Sequence, residues 1–135
     1  LHIDSYKCIK YVDGYEIVIS KSKSNSSISK QIEDLSLWFV NLGAYNPKKM
    51  YEEHEFNLIV AQKAFEAKRK AKMNWITSLR SKHNDDCSGI NYLDQVDDLC
   101  PIKIKNWVIN LIPDPEQRNE KLIPDWYGYR RIDKL

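Results

Sequence analysis

The fold is decided by residues 36–82, which read SLWFVNLGAYNPKKMYEEHEFNLIVAQKAFEAKRKAKMNWITSLRSK. Residues 37–42 are a short apolar run closed by Gly43, and a run of this length before a turn residue predicts a buried strand. In residues 54–60, Phe56, Leu58 and Val60 share one face of an extended chain, so this segment predicts a second strand with one face in the core.

A helix is predicted from residue 61 to residue 82, because the apolar period changes there from two to about 3.6 residues. The predicted apolar stripe consists of Ala61, Ala64, Phe65, Ala71, Trp75, Ile76 and Leu79. The opposite surface is strongly basic, with seven basic residues against Glu66, a formal charge of seven minus one, or plus six. We expect a long helix whose apolar stripe covers a sheet.

Strand patterns also flank this central stretch. Residues 1–20 predict a β-hairpin around Asp13-Gly14, a pair with strong turn chemistry, and residues 21–30 contain one apolar residue and predict a mobile linker. Residues 90–97 and 103–112 predict two more strands, and Asp114 with Gln117 three residues later predicts one or two helical turns.

These elements predict an α+β fold with a small, mostly antiparallel sheet. The unit is strand-strand-helix-strand-strand, in which four strands form the sheet and the helix packs on one face. The expected division is a hairpin at 1–20, interpreted as the last hairpin of a preceding repeat, a flexible linker at 21–35 and an α+β domain at 36–135.

Composition excludes several classes of protein. With 135 residues and a net charge of +2, one domain can bury a core without a metal or disulfide. The three cysteines have neither an even count nor CxxC spacing, which indicates a reducing compartment. No apolar run reaches the roughly 20 residues of a membrane span, so we expect a soluble, cytoplasmic protein without a cofactor.

Several short motifs resemble an uncharacterised bacterial family, domain-of-unknown-function family fifteen-forty-three, whose members carry one or two copies of a short domain. The motifs are LHIDSY at 1–6, VDGY at 12–15, FVNLGAYNP at 39–47, HE at 54–55, EAK at 66–68 and WYGY at 126–129. Ser5 and Ala44 stand where this family is expected to have glycine. The resemblance implies a cytosolic bacterial protein and no catalytic role for any residue.

Glu52 and His54 are a candidate polar site, since an imidazole beside a carboxylate can act as a general base or a metal ligand. This is the basis of a third hypothesis, a metal-dependent hydrolase. A histidine satisfied by structural hydrogen bonds is the favoured interpretation. His83, Asp85, Asp86 and Cys87 match no metal-binding spacing, and a solvated acidic loop explains them better.

Two surfaces are candidates for binding. The basic helix face could follow phosphates or an acidic partner, and the tail interleaves aromatic and basic residues as single-strand binders do. The residues are Lys63, Lys68, Arg69, Lys70 and Lys72 on the helix and Trp126, Tyr127, Tyr129, Arg130 and Arg131 in the tail. A solvated helix face and a terminal strand that closes the core are the favoured interpretations of the two.

The sequence therefore favours a binding protein over an enzyme. The first hypothesis is a non-enzymatic binding or self-association module of the bacterial cytosol, which forms a homo-oligomer by strand pairing or hairpin exchange or binds an unidentified protein. The alternative is nucleotide or nucleic-acid binding through the basic helix and the tail. No interaction with a membrane is expected.

Overall fold

A computed structural model describes residues 1–22, 35–45, 50–82 and 95–133. In this part of the chain the fold is α+β, with one helix and strands that pair in antiparallel fashion. The elements are β1 (His2–Tyr6), β2 (Tyr11–Val12), β3 (Tyr15–Lys21), β4 (Ser36–Tyr45), β5 (Glu52–Ala61), α1 (Ala64–Lys82), β6 (Gln95–Pro101), β7 (Trp107–Pro113) and β8 (Trp126–Arg131).

In the described residues, the central sheet has three strands in the order β5-β4-β6. Its middle strand β4 is the apolar run that decides the fold, and Trp38 lies opposite Ile59 in β5 and Pro101 in β6. The sequence predicted four strands here, which was wrong. The missing strand, β7, pairs instead with β3 in a second sheet.

Helix α1 packs on one face of the central sheet through residues spaced four apart. Ala67, Ala71 and Trp75 are buried against Val40 and Ile59, and the two alanines let the helix backbone approach the sheet closely. Of the predicted stripe, Ala71 and Trp75 are buried as expected, whereas Phe65 is 61% exposed and was wrongly assigned to it. The spacing of apolar residues in the sequence predicted that the segment is helical. Which side of the helix is buried was determined by the small alanines.

A second sheet, β2-β3-β7, covers part of the opposite face of the central sheet. Its inner residues Ile17, Ile109 and Leu111 pack on a buried cluster that includes Leu37 and Val60. The remaining strands β1 and β8 form a two-stranded ribbon. Because β3 pairs with β7 along its length, the amino-terminal strands are joined to the carboxy-terminal ones; the division at 1–20, 21–35 and 36–135 stays a prediction.

The predicted turn at Asp13-Gly14 is present between β2 and β3. Both residues have positive φ, 52° and 80°, as a type I′ hairpin turn requires. The predicted helical turns after Asp114 are absent. The Asp114 carboxylate does accept the backbone N–H groups of Glu116 and Arg118, as a capping residue would, but Gln117 has a φ of 53° and leaves the helical region.

Candidate interaction surface

Strand β7 reads WVINLIP and carries no charged side chain. Its alternating apolar and β-branched residues suit a pleated strand with one face on a core. Ile109 and Leu111 face the core between the two sheets, while Val108, Asn110 and Ile112 lie on the outer face. The outer face is partly apolar, with Ile112 46% exposed.

One edge of β7 has no partner strand among the described residues, because β7 is the last strand of the order β2-β3-β7. Residues just outside the strand show which backbone groups face that edge. Ser22 N donates to Asn106 O at 2.9 Å, and Asp114 N donates to Gly14 O at 2.8 Å. Both pairs continue the β3-β7 register, so the even-numbered residues of β7 bond to β3 and the odd-numbered residues point their N–H and C=O groups outward.

Among the described residues, one of the three outward N–H groups of β7 is engaged. Trp107 N donates to Ile104 O at 3.1 Å, and Pro113 has no N–H. The donors left at the edge are the backbone N–H groups of Ile109 and Leu111. The edge therefore offers a short ladder of backbone hydrogen bonds, which is how a sheet accepts an added strand.

Other strand edges in the described residues are protected by charge or by contacts. Strands β1, β5, β6 and β8 contain Asp, Glu or Arg, and such charges discourage pairing with other chains. In β2, which has two residues, the Tyr11 carbonyl accepts Glu120 N at 3.1 Å. The β5 edge is also closed at Val60, whose N–H donates to the Asp13 carboxylate and whose carbonyl accepts Lys70 Nζ. Strand β7 carries no charged side chain, and among the described residues Trp107 N is the one outward N–H group of β7 that is engaged.

An open groove runs beside the free edge of β7. Its walls come from the segment before β4, the segment after β6, and β7 itself. They combine apolar side chains such as Leu35, Ile102, Ile104 and Trp107 with the polar Ser36 and Lys103. Trp107 is 48% exposed at one end of this groove. A strand added to β7 would thus find apolar contacts for its side chains beside the backbone ladder.

The carboxy-terminal end of β7 is held by a compact polar contact. The Asp114 side chain is 2% exposed and accepts hydrogen bonds from Arg118 Nε at 2.8 Å and Nη2 at 2.9 Å. These bonds from the guanidinium hold the pKa of the Asp114 carboxyl well below its usual range, although burial acts in the opposite direction. Arg118 in turn lies 3.8 Å from the centre of the Tyr11 ring. This contact fixes β7 and limits the freedom of its edge.

The basic residues predicted on α1 differ in their surroundings. Lys63 and Arg69 are exposed, and Lys68 and Lys72 are half-buried. Lys70 is exposed, but its Nζ donates to the Val60 carbonyl at 2.7 Å, so part of its role is structural. A shallow depression beside it is lined by Asp13, Arg69, Lys70, Met73 and Asn74, which mixes acid with base.

The aromatic and basic residues predicted in the tail lie on β8 and just after it. Trp126 is half-buried and stacks on Tyr6 with 6.0 Å between ring centres, whereas Tyr127 is 82% exposed. Tyr129 lies 4.8 Å from the His2 ring, Arg130 is exposed, and Arg131 is paired with Asp133. Strand β8 pairs with β1, while α1 packs on the central sheet, so the two predicted surfaces belong to different layers.

The predicted polar site lies in β5, where Glu52 is opposite Tyr45 and His54 is opposite Gly43. His54 is exposed. Within the described residues, no group of three or more His, Cys, Asp or Glu side chains could hold a metal ion. The loop at 83–87 lies outside the described residues, so the hydrolase hypothesis stays a prediction.

The free edge of β7 was not among the predicted site residues. Its sequence signal was visible, since 107–113 is an apolar strand pattern without charge. Whether such a strand lies at an edge depends on its partners, and β3 is about ninety residues away in the chain. A local pattern does not contain that information.

Comparisons with known proteins give a family match and a structural neighbour. The model of Domain of Unknown Function (DUF1543) matches residues 49–100, which confirms the resemblance over that segment. A comparison with curated proteins found no match. The crystal structure of a protein Il1583 from Idiomarina loihiensis is similar, with a TM-score of 0.58 and 23% identity over 96% of this chain.

The chain spans 63% of the Il1583 chain, which is less than two thirds of its length. At this level of identity the likeness shows a shared fold. In the part of the chain that the structure describes, no helix is long and apolar enough to cross a membrane.

Proposed function

We propose that this protein is a non-enzymatic binding or self-association module and that the free edge of β7 is its binding element. The observation that carries this proposal is that β7 is a seven-residue edge strand without charge, whereas the other strand edges in the described residues are protected by charge or by contacts. A sheet edge of this kind associates by taking up another strand, with backbone hydrogen bonds for affinity and flanking pockets for specificity.

The apolar surface beside the edge supports the same proposal. Trp107 and Ile112 are about half exposed, and Ile104 is 42% exposed along the groove. Aromatic and aliphatic residues at a surface contribute binding energy when a partner removes them from water. The two features lie side by side, so a single added strand would use both.

The experiment is light scattering coupled to size-exclusion chromatography over a wide range of protein concentration. Val108→Lys places a charge on the edge strand at a position 38% exposed, where the fold tolerates it. Val18→Lys is the matched control, because Val18 is 37% exposed on the same face but lies in the internal strand β3. We expect the wild-type mass to rise with concentration, Val108→Lys to stay monomeric, and Val18→Lys to follow the wild type.

A wild-type protein that remains monomeric at every concentration would remove the self-association form of this proposal. Equal association of Val108→Lys and the wild type would remove β7 as the binding element. The control separates both results from a general effect of added charge.

The alternative function, nucleotide or nucleic-acid binding, is supported by the exposed Tyr127 and Arg130 on β8. An aromatic ring and a guanidinium side by side can stack on a base and hold a phosphate. A mobility-shift assay with a generic single-stranded oligonucleotide at low salt tests it. Binding that weakens steeply with salt and is lost in Tyr127→Ala would favour this function, and no shift would end it.

We further propose that β4, β5, α1, β6 and β7 make up the strand-strand-helix-strand-strand unit of a cytosolic bacterial protein, with the amino-terminal strands completing it. The pairing of β3 with β7 supports this, because it places the amino-terminal hairpin against the last strand of the unit.

A further inference from the structure

We infer that the strand taken up by β7 is the β7 strand of a second copy of this chain, paired antiparallel about a twofold axis at Asn110. The inference rests on the proposed function and names its partner. The result would be a continuous sheet in the order β2-β3-β7 followed by β7-β3-β2 of the partner copy.

Strand β7 is close to symmetric about its centre. A twofold axis at Asn110 sets Ile109 opposite Leu111 of the second copy, Val108 opposite Ile112, and Trp107 opposite Pro113. All three pairs are apolar, and the two inner pairs, Ile109 with Leu111 and Val108 with Ile112, are similar in size and lie on matching faces, as a self-complementary interface requires. The inner face of one copy thus continues into the inner face of the other.

The available backbone groups fit this pairing. Ile109 and Leu111 point their N–H and C=O groups outward, and antiparallel pairing of Ile109 with Leu111 of the second copy satisfies both donors in each chain. The remaining outward residues are Trp107, whose N–H is taken by Ile104, and Pro113, which has none. Trp107 of one copy lies opposite Pro113 of the other, so the pairing leaves no backbone N–H group of β7 without an acceptor.

The distribution of charge selects the register. With the axis at Asn110, the uncharged strand 107–113 overlaps itself completely. Moving the pairing by two residues in one direction brings Lys105 of the second copy against β7. Moving it in the other direction brings Asp114, whose N–H and carboxylate are already engaged. The absence of charge in the overlapping segment also avoids like charges opposite each other across the axis.

A symmetric disulfide tests both the partner and the register. At the axis, Asn110 of the two copies forms a non-hydrogen-bonded pair with a Cα separation of about 4.5 Å, within the range of a disulfide. Asn110→Cys, with the three native cysteines changed to Ser, should form a covalent dimer under mild oxidation. Val18→Cys in the same background is the control, because the two Val18 positions would be three strand spacings, or about 14 Å, apart.

Asn110→Cys removes the hydrogen bonds that the Asn110 side chain donates to Val18 O and Ser20 Oγ. A second pair of variants therefore tests the same register with Asn110 intact. Val108→Cys and Ile112→Cys alter exposed side chains. Each alone should form no covalent dimer after oxidation, since the symmetric positions are about 14 Å apart. A mixture of the two should form a covalent heterodimer.

The outcomes separate this inference from the proposed function. Linkage of Asn110→Cys, or of the mixed pair, without linkage of Val18→Cys supports the twofold pairing. Concentration-dependent association that Val108→Lys abolishes, but without either linkage, overturns the inference and leaves β7 as the binding element. A wild-type protein that never associates overturns the inference together with the self-association form of the proposed function.

Discussion

The Asp13 carboxylate lies 2.9 Å from the backbone nitrogen of Val60 and accepts its hydrogen bond. Val60 is 1% exposed, so this bond joins the β2-β3 turn to the central sheet at a point with little access to water. Asp13 also occupies the first central position of the type I′ turn, with a φ of 52°. A single residue therefore sets the turn and ties the two sheets together.

Replacement of Asp13 by Ala should lower the free energy of unfolding by about 1–3 kcal/mol, because a buried N–H loses its acceptor. Asp13→Asn keeps an acceptor oxygen and tolerates positive φ, so we expect less than half of that loss. Urea denaturation of the two variants measures the difference. Equal losses would show that the hydrogen bond to Val60 contributes little.

Stability should fall in acid partly because of Asp114. The Arg118 guanidinium holds the pKa of the native Asp114 carboxyl well below its usual value near 3.8. The unfolded state therefore binds protons first, so the stabilisation is complete above the usual pKa and is lost as pH falls through the lowered native pKa. The pKa of Glu120 is lowered by backbone N–H groups of Lys10 and Tyr11 and acts in the same direction.

Arg118→Met should make this acid dependence shallower, because Asp114 then titrates closer to its unfolded pKa. Denaturant unfolding at intervals between about pH 5 and pH 2 measures the slope. The control is Arg131→Met, which breaks the exposed pair with Asp133, where solvent screens the interaction and we expect a smaller change. An Arg118→Met curve parallel to the wild type would contradict the assignment.

The buried face of α1 predicts a large contrast between two aromatic residues. Trp75 is 3% exposed against the central sheet, so Trp75→Ala should cost about 3–5 kcal/mol. Phe65 is mostly exposed, and Phe65→Ala should change the free energy of unfolding by about 0.5 kcal/mol or less. Thermal or chemical denaturation distinguishes them. Similar losses would mean that Phe65 is buried, as the sequence predicted.

Local patterns predicted the elements of this fold more successfully than their partners. The apolar run at 37–42 became the central strand β4, and Asp13-Gly14 formed the expected hairpin turn. Both features depend only on residues that are neighbours in the chain, which is why a local pattern predicts them.

Pairing over long distances was not predictable in the same way. Strand β7 was expected beside the helix-bearing sheet, but its register with β3 depends on how Ile17, Ile109 and Leu111 fit the cluster around Val60. Likewise, Asp114 caps backbone N–H groups as predicted, yet the Arg118 contact with Asp114 and Tyr11 turns the chain back before a helix can form. The free edge of β7 follows from these distant contacts, so the candidate site emerged from the structure.

Lysines on α1 allow the structural and the binding roles of the basic face to be separated. Lys70 Nζ donates to the Val60 carbonyl at the edge of β5, so Lys70→Met should cost about 1 kcal/mol of stability. Lys63→Met, at an exposed position, should cost nothing measurable.

If the helix binds nucleic acid, Lys63→Met combined with Arg69→Met should weaken oligonucleotide binding at low salt without loss of stability, since each phosphate contact contributes to a salt-dependent affinity. Unchanged oligonucleotide binding in that double variant, with the expected loss of stability in Lys70→Met, would assign the basic face to solvation and to protection of β5.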